Sequence, residues 1–474
     1  MKHPLRAGLF SIGLSAYWPQ FSGLLDRLNG YNRRIEDGLR RDGVEIVNLG
    51  MIDTPEKGLD AGHQLRASDV DILFLHVSTY ALSSTVLSAV RRAKVPVILL
   101  NLSPEAAIDY PAFNRMPSRT EKTGEWLAFC GTCPVPELAN VFHRTGVQFA
   151  EVTGTLEDEA AWREIGEWMD AAVVAHALAH NRLGLMGHYY GGMLDVATDL
   201  TRLSGVFGSH LEMIEPDELS ALRQCVTEAE IEGQFATFAS SFDVQADCSP
   251  AELRRAAMTA AALDRLAAAH DLSSLAYYAS GSGNPGNEET MSSIILGASL
   301  LTARGIPAAG EYEVKNAIAM KMMDAFGAGG SFTEFYAVDF NAGEVLMGHD
   351  GPGHPAIAEG KPKVRPLREY HGKAGQGLSI EMSVKHGPIT MLSVVEEERA
   401  GYKLLIAEGE SVPGQILEIG NTNSRYRFAP GARAFLKQWN SHGPAHHCAA
   451  GVGHLAARLE KLAVLLRVPA VRVC

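Results

Sequence analysis

The sequence predicts an α/β protein: two doubly wound parallel-sheet domains followed by a β-rich C-terminal domain. Three observations predict it. Short apolar strands alternate with helical stretches along the first two thirds of the chain, and the alternation restarts after a long helix near residue 180. The texture then changes at the glycine-rich run GAGG at 327–330. A chain of 474 residues with 46% hydrophobic and 20% charged residues is globular in composition and too long for one core.

The first domain is placed at 1–180. Its strands are AGLFSIGL, VEIVNLG, VDILFLHV and VPVILLNL, and its longest early helix is QFSGLLDRLNGYNRRIEDGLRRDG. The helix EAAWREIGEWMDAAVVAHALAH leads into the second domain, 181–328. There the expected order is strand LGLMGHY, helix GGMLDVATDLTRLSGVFG, strand SHLEMIEP, two further helices, strand SSLAYYAS, helix ETMSSIILGASLLTARG and strand IPAAGE. In 329–474, TEFYAVDF-NAGE-VLMGHDG, GLSIEMSV-KHGP-ITMLSVV and YKLLIAEGES read as strands joined by turns, closed by the helix HLAARLEKLAVLL. No flexible linker marks a boundary.

Composition excludes several classes of function. A net charge of −13 without long basic runs argues against a nucleic-acid surface. No window approaches the ~18 uninterrupted apolar residues of a membrane span. The opening MKHPLRAGLF lacks the apolar core and cleavage site of a signal peptide, so none is expected. Six cysteines, at 130, 133, 225, 248, 448 and 474, form no dense disulfide framework, which fits a reducing cytoplasm.

Four places carry side chains suited to metal or proton chemistry. Glu311 ends IPAAGE, before a helix whose apolar positions Val314, Ala317, Ile318, Met322, Ala325 and Phe326 keep the 3.6 period. Ligands of open α/β sheets bind at the carboxyl ends of strands. Glu334 lies in the apolar and aromatic run SFTEFYAVDF, where a carboxylate is costly to bury unless paired or metal-bound. His349 ends VLMGH before the turn DGPGHP, and His446 and His447 are adjacent in GPAHHCAA. Taken singly, each has a plainer reading: a strand-end glutamate caps the next helix, and a strand-end histidine is usually a surface or hydrogen-bonded residue.

Their order gives them weight. AAGEYEVKNAIAM resembles the Gly-Glu-x-Asp/Glu-x-Lys-x-Ala segment of the L-arabinose isomerases, and GGSFTEFYAVDF their Gly-x-Ser-Phe-x-Glu-x-Tyr segment, with Phe335 where aspartate is usual. VLMGHDGPGHP is similar to their Leu-Gly-x-His segment, and GPAHHCA to their Gly-x-Ala-His-His segment. The resemblance implies a metal bound by Glu311, Glu334, His349 and His447, with His446 in a neighbouring or substrate-binding role. YYGGMLDVATD is similar to the family's substrate-lining methionine segment and points to Met193, for which core packing is the plainer alternative. Two oxygen and two nitrogen ligands leave octahedral positions for two substrate oxygens, which suits Mn²⁺, with Co²⁺ or Fe²⁺ as alternatives.

The reaction so implied is aldose–ketose isomerisation through an enediol. Glu311 and Glu334 would serve as base and acid, in an order left open. The family resemblance also implies a homotrimer or homohexamer. The family's sugar-contacting segments are replaced by GLSAYWPQF and SPEAAIDYP, which suggests Tyr17, Trp18 and Gln20 as substitutes and a substrate other than L-arabinose. Two alternatives remain: a metal-dependent lyase or decarboxylase acting on a sugar acid, and a non-catalytic sugar-binding protein. Cys130-Gly-Thr-Cys133, just before a helix, has the redox C-x-x-C form but, standing alone, reads as structural or incidental, and SGSGNPGNEE reads as a site loop with Glu288 and Glu289 starting the next helix.

Overall fold

Chain contacts divide the computed structural model into two units, Met1–His176 and Ala177–Cys474. Residues 4–280, 283–370, 373–374, 376–399 and 401–474 are described. No described helix is long and apolar enough to cross a membrane.

The first unit is a parallel sheet of β1 (Leu5–Ile12), β2 (Val44–Ile52), β3 (Ile72–Val77), β4 (Val97–Ser103) and β5 (Phe149–Thr155), in the order β2-β1-β3-β4-β5. All six residues of β3 are buried, as expected for a strand covered on both faces, and this is why ILFLHV reads as a continuous apolar run. The helices are α1 (Leu24–Leu39), α2 (Pro55–Ala67), α3 (Ser83–Ala93), α4 (Tyr110–Arg115), α5 (Arg119–Ala128), α6 (Val135–Thr145) and α7 (Glu159–Ala179). α1 buries Leu24, Leu28, Ile35 and Leu39, one stripe at helical spacing. Its neighbours start on side-chain caps: the Thr54 hydroxyl accepts the Lys57 N–H before α2, and Ser118 with Glu121 forms a capping box before α5.

α2 and α3 approach closely because Gly58 has no side chain. A Cβ there would lie 2.4 Å from the carbonyl oxygen of Thr85. The sheet order reverses between β1 and β3, where doubly wound folds open a crevice at the carboxyl ends of the strands. A 3₁₀ turn, Ser15–Tyr17, follows β1 at that edge.

The second unit begins with β6 (Arg182–Gly187), β7 (His210–Ile214), β8 (Asp243–Val244), β9 (Ser274–Tyr278) and β10 (Ala308–Ala309). Four of these form a parallel sheet in the order β10-β9-β6-β7. Around them lie α8 (Leu200–Phe207), α9 (Pro216–Gln224), α10 (Glu228–Ser241), α11 (Pro250–Ala269), α12 (Pro285–Met291), α13 (Ile295–Ala303) and α14 (Val314–Ala325). The expected helix GGMLDVATDLTRLSGVFG is split. A 3₁₀ turn, Leu194–Val196, comes first, and α8 starts only where the Asp199 carboxylate accepts the Arg202 N–H at 3.0 Å.

The β-rich part contains β11 (Gly329–Asp339), β12 (Glu344–His349), β13 (Lys363–Pro366), β14 (Glu369–Tyr370), β15 (Lys373–Ala374), β16 (Leu378–Glu381), β17 (Gly387–Glu397), β18 (Gly401–Val412), β19 (Thr422–Phe428), β20 (His447–Val452) and β21 (Ala470–Arg472). The main sheet runs β17-β20-β11-β12-β19-β18-β21, and an extra pairing of β17 with β18 closes it into a barrel. Its core holds Met347, Met391, Leu405, Tyr426 and Phe428, covered by Phe435 and Trp439 of α15 (Ala432–Ser441). The closing helix is α16 (Ala456–Leu466), but the chain then adds β21, parallel to β18. α14 packs on β9 and β10 and also on β11, β17 and β20, so one helix joins the parallel sheet to the barrel. It is accordingly buried nearly all round rather than on one stripe.

The close α2–α3 packing makes a test. Gly58→Ala is expected to lower stability by ~1–3 kcal/mol, the usual range for overpacking, despite alanine's better helix propensity. Gly30→Ala in α1, where an added Cβ would meet nothing nearer than an Arg33 side-chain nitrogen of the same helix at 3.9 Å, is expected to be neutral or mildly stabilising. Denaturant midpoints compare the two, and equal shifts would contradict the packing account.

Candidate active site

Between β10 and α14 the backbone turns through Gly310, Glu311 and Tyr312. Glu311 and Tyr312 both adopt left-handed conformations, with φ of 56° and 58°, which side chains rarely occupy without a constraint. The constraint is visible. The Tyr312 N–H donates to the Tyr277 carbonyl at 3.0 Å, the Glu313 N–H donates to that of Gly310 at 3.0 Å, and the buried Tyr312 ring packs 4.9 Å from that of Tyr189. The ladder of β10 therefore stops at Ala309, and Glu311 sits in the turn rather than in the strand.

The turn aims Glu311 at three histidines. One carboxylate oxygen, Oε2, lies 3.4 Å from His447 Nε2 and 3.7 Å from His446 Nε2, while Oε1 lies 3.8 Å from His349 Nε2. His349 ends β12 and His447 begins β20. Phe332 packs against both, its ring centroid 4.4 Å from His349 and 4.3 Å from His447, and the two histidine rings meet edge-on at 5.2 Å. Glu311, His446 and His447 present ligand atoms that all lie within 4.8 Å of one another.

A second layer fixes the rings. The fully buried Glu313 places Oε2 3.1 Å from His447 Nδ1 and Oε1 3.4 Å from the Lys315 ammonium. Lys315 in turn donates to the carbonyls of Asp195 and Ala197, at 2.8 and 3.0 Å. Asp195 Oδ2 accepts the His446 backbone N–H at 3.0 Å and lies 2.6 Å from its Nδ1. Each of the paired histidines is thus held at Nδ1 by a carboxylate and turns Nε2 towards Glu311, the arrangement of carboxylate–histidine–metal triads.

Electrostatics follow from this layout. Burial raises the Glu311 carboxyl, but His349, His446 and His447 outweigh it and hold the group below the ordinary carboxylate range. Burial pushes Glu313 up to about 7 against the opposing pull of Lys315. His446 is pushed up to about 9, by Glu311 first and by Asp195 against burial. His447 is lowered by burial and by the neighbouring His349 and His446, so it is neutral at physiological pH.

Glu311 Oε2 and His447 Nε2 are buried and have no hydrogen-bond partner, and the same holds for His349 Nδ1. When Glu313 accepts the Nδ1 proton of neutral His447, Nε2 is a lone-pair acceptor facing a carboxylate oxygen, itself an acceptor. Two buried acceptors facing each other fit a cation between them. Residues able to hold one are Glu311, His447, His446 and His349.

Glu334 stands apart from this cluster. It is half-buried and pairs in register with His447 across β11–β20 and with Gly348 across β11–β12. Among the described residues it takes no part in the contacts that join Glu311 to the histidines. Met193 is half-buried just before the turn that carries Asp195. Tyr17, Trp18 and Gln20 belong to the first unit, where Trp18 Nε1 donates to Asp53 at 2.7 Å and the Gln20 amide to the Ala16 carbonyl at 2.7 Å. Tyr17 meets Trp18 and Phe21 edge-on.

Sequence reasoning missed Glu313, Lys315 and Asp195. The first two stand inside the Gly-Glu-x-Glu-x-Lys segment that singled out Glu311, so that segment held the signal.

A cavity of about 410 Å³ opens onto Glu311 and His349. Tyr277, Tyr278, Met291 and Ile294 give it apolar walls, and Glu288 and Asp350 give it acidic groups. Among the described lining residues there is no lysine or arginine. Gly281 and Ser282, in the glycine run expected to border the site, lie outside the described residues.

Comparison with known proteins adds the following. Residues 329–469 match the model of the L-arabinose isomerase C-terminal domain. An L-arabinose isomerase of Nocardioides sp. (strain JS614) is 27% identical over 342 residues, covering 69% of this chain and 66% of that protein. One from Aeromonas salmonicida (strain A449) is 23% identical over 304 residues, covering 62% and 61%. The chain thus spans slightly less than two thirds of the length of these curated relatives.

The second layer is testable by itself. Glu313→Gln is expected to weaken divalent-metal binding ~10–100-fold, as loss of a ligand's outer partner typically does. Titration calorimetry with Mn²⁺ would measure it, with circular dichroism as the check on folding. Unchanged affinity in a folded variant would mean that Glu313 does not support the ligand.

Proposed function

We propose that the chain is a divergent member of the L-arabinose isomerase family, as its similarity to those enzymes supports, and that it is a metal-dependent aldose–ketose isomerase acting on a small neutral sugar. The observation that carries this reading is the pair of buried, unpartnered acceptors, Glu311 Oε2 and His447 Nε2, of which Glu311 also lines a sugar-sized cavity. Glu311, His349 and His447 would hold the cation, with Glu334 contributing from its place beside His447 in the ladder. A bound divalent cation would polarise the substrate carbonyl and stabilise charge developing on its oxygens. Mn²⁺ suits the donor set best, with Co²⁺ or Fe²⁺ as alternatives.

The side chains divide the remaining work. Glu311, kept ionised by the histidines around it, takes a proton from the substrate, and Glu334 is its partner in the reverse direction. His446, fixed by Asp195, offers an N–H to a sugar oxygen. Glu313 holds His447 in the tautomer that leaves Nε2 free. The apolar walls shield the reacting carbons from water.

The cavity bears on the choice of substrate. A sugar acid or sugar phosphate brings a negative group, and the described lining supplies acidic side chains and no lysine or arginine, which favours a neutral polyol over the sugar acid that a lyase would take. The departures at GLSAYWPQF and SPEAAIDYP support a preferred sugar other than L-arabinose. A trimer or hexamer is the assembly that this family membership suggests.

Glu311→Gln and Glu334→Gln are each expected to lower kcat by at least ~10²-fold while the fold persists. His446→Ala should cost less than His447→Ala. A panel of pentoses, hexoses and deoxy sugars, assayed with Mn²⁺ in deuterated water, should yield ketose product carrying deuterium beside the carbonyl. Near-normal rates in either glutamine variant, or decarboxylation of a sugar acid without any isomerisation, would overturn the proposal.

A further inference from the structure

The Cys130-Gly-Thr-Cys133 turn takes no part in the proposed isomerase chemistry. It joins α5 to α6 in the first unit and is seated on the carboxyl edge of that unit's sheet. A Cβ on Gly131 would lie 2.3 Å from the carbonyl oxygen of Val77, the last residue of β3, so only glycine allows this seat. The Thr132 hydroxyl donates to the Asn101 side chain of β4 at 3.0 Å. Cys130 is buried in a cluster with Leu24, Leu28 and Leu127, against which Tyr17, Trp18 and Tyr80 pack. Cys133, three residues on in the same turn, lies near enough to help push the Cys130 thiol up. Cys133 is exposed and stands two residues before α6.

A structural metal clip does not fit this pair. Among the described residues no third histidine, cysteine or carboxylate joins the two sulfurs to make a ligand group. A packing role explains the buried Cys130 but not the exposed Cys133 in the same turn.

We propose that Cys130 and Cys133 form a reversible dithiol–disulfide couple, a redox modification site seated beside Tyr17 and Trp18. The oxidant is a small-molecule disulfide of the glutathione class. The Cys133 thiolate attacks one sulfur of that disulfide, forming a mixed disulfide and expelling one thiolate. Cys130 then gives up its proton to solvent and attacks the Cys133 sulfur, expelling the second thiolate. The pair loses two electrons and two protons, and the external disulfide becomes two thiols. The order of events follows accessibility, since Cys133 is exposed and Cys130 is enclosed. Burial also pushes Cys130 up to about 12, which suits the group that reacts second, inside the turn.

The test uses the full chain. The reduced protein is incubated with excess glutathione disulfide, quenched with N-ethylmaleimide, digested and analysed by mass spectrometry. The peptide spanning both cysteines should appear unalkylated and lighter by about two hydrogens, and dithiothreitol should restore two alkylated thiols. Cys130→Ser should trap glutathione on Cys133. Cys133→Ser, at an exposed position, should leave Cys130 unmodified and guards against a misfolded Cys130 variant. Wild-type protein with two free thiols, or stopped at a stable glutathione adduct on Cys133, would overturn the proposal.

Discussion

Two acceptors that ought to repel face each other inside the second unit, Glu311 Oε2 and His447 Nε2, 3.4 Å apart and without hydrogen-bond partners. Burying such atoms unpaired is expensive, so the surrounding structure must supply what holds them. Part of the answer is the left-handed backbone at Glu311 and Tyr312, pinned by the Tyr277 carbonyl and the Tyr189 ring. Another part is Glu313, which fixes His447 from behind. In the proposed reading the rest would be a cation, whose charge would turn the repulsion into coordination.

The fold explains how residues so distant in sequence reach this point. Glu311 and Glu313 come from the turn that leaves the parallel sheet, while His349 and His447 come from ends of barrel strands. α14 packs on both sheets and sets their spacing. A helix buried all round is the cost of that position, and its small and flexible residues, Ala317, Ala319, Met320, Met322 and Met323, suit packing against two surfaces.

Much of this was legible in the sequence, for identifiable reasons. Alternation of strand and helix gave the parallel sheets, and two-residue alternation with turn signals gave the barrel strands, because both patterns record burial directly. Glu311, His349, His446 and His447 were legible as segments matching one family in order. Asp195 was not, since its link to His446 spans 251 residues and no local pattern announces it. Glu313 was read only as part of a motif, because a buried carboxylate that serves a neighbouring ring looks like any helix-start acid. The split of the helix before α8 was missed because Asp199 looks as much like a helix residue as a cap.

In the proposed function these acceptors are arranged for a divalent cation on which turnover depends. The most direct measurement is equilibrium dialysis of chelator-stripped protein against Mn²⁺, with activity on the best sugar followed in the same samples. Saturable binding that restores activity in the wild type, and that is lost in both Glu311→Gln and His447→Ala, is the predicted result. Full activity in stripped protein, or Mn²⁺ binding unaffected by either substitution, would contradict it.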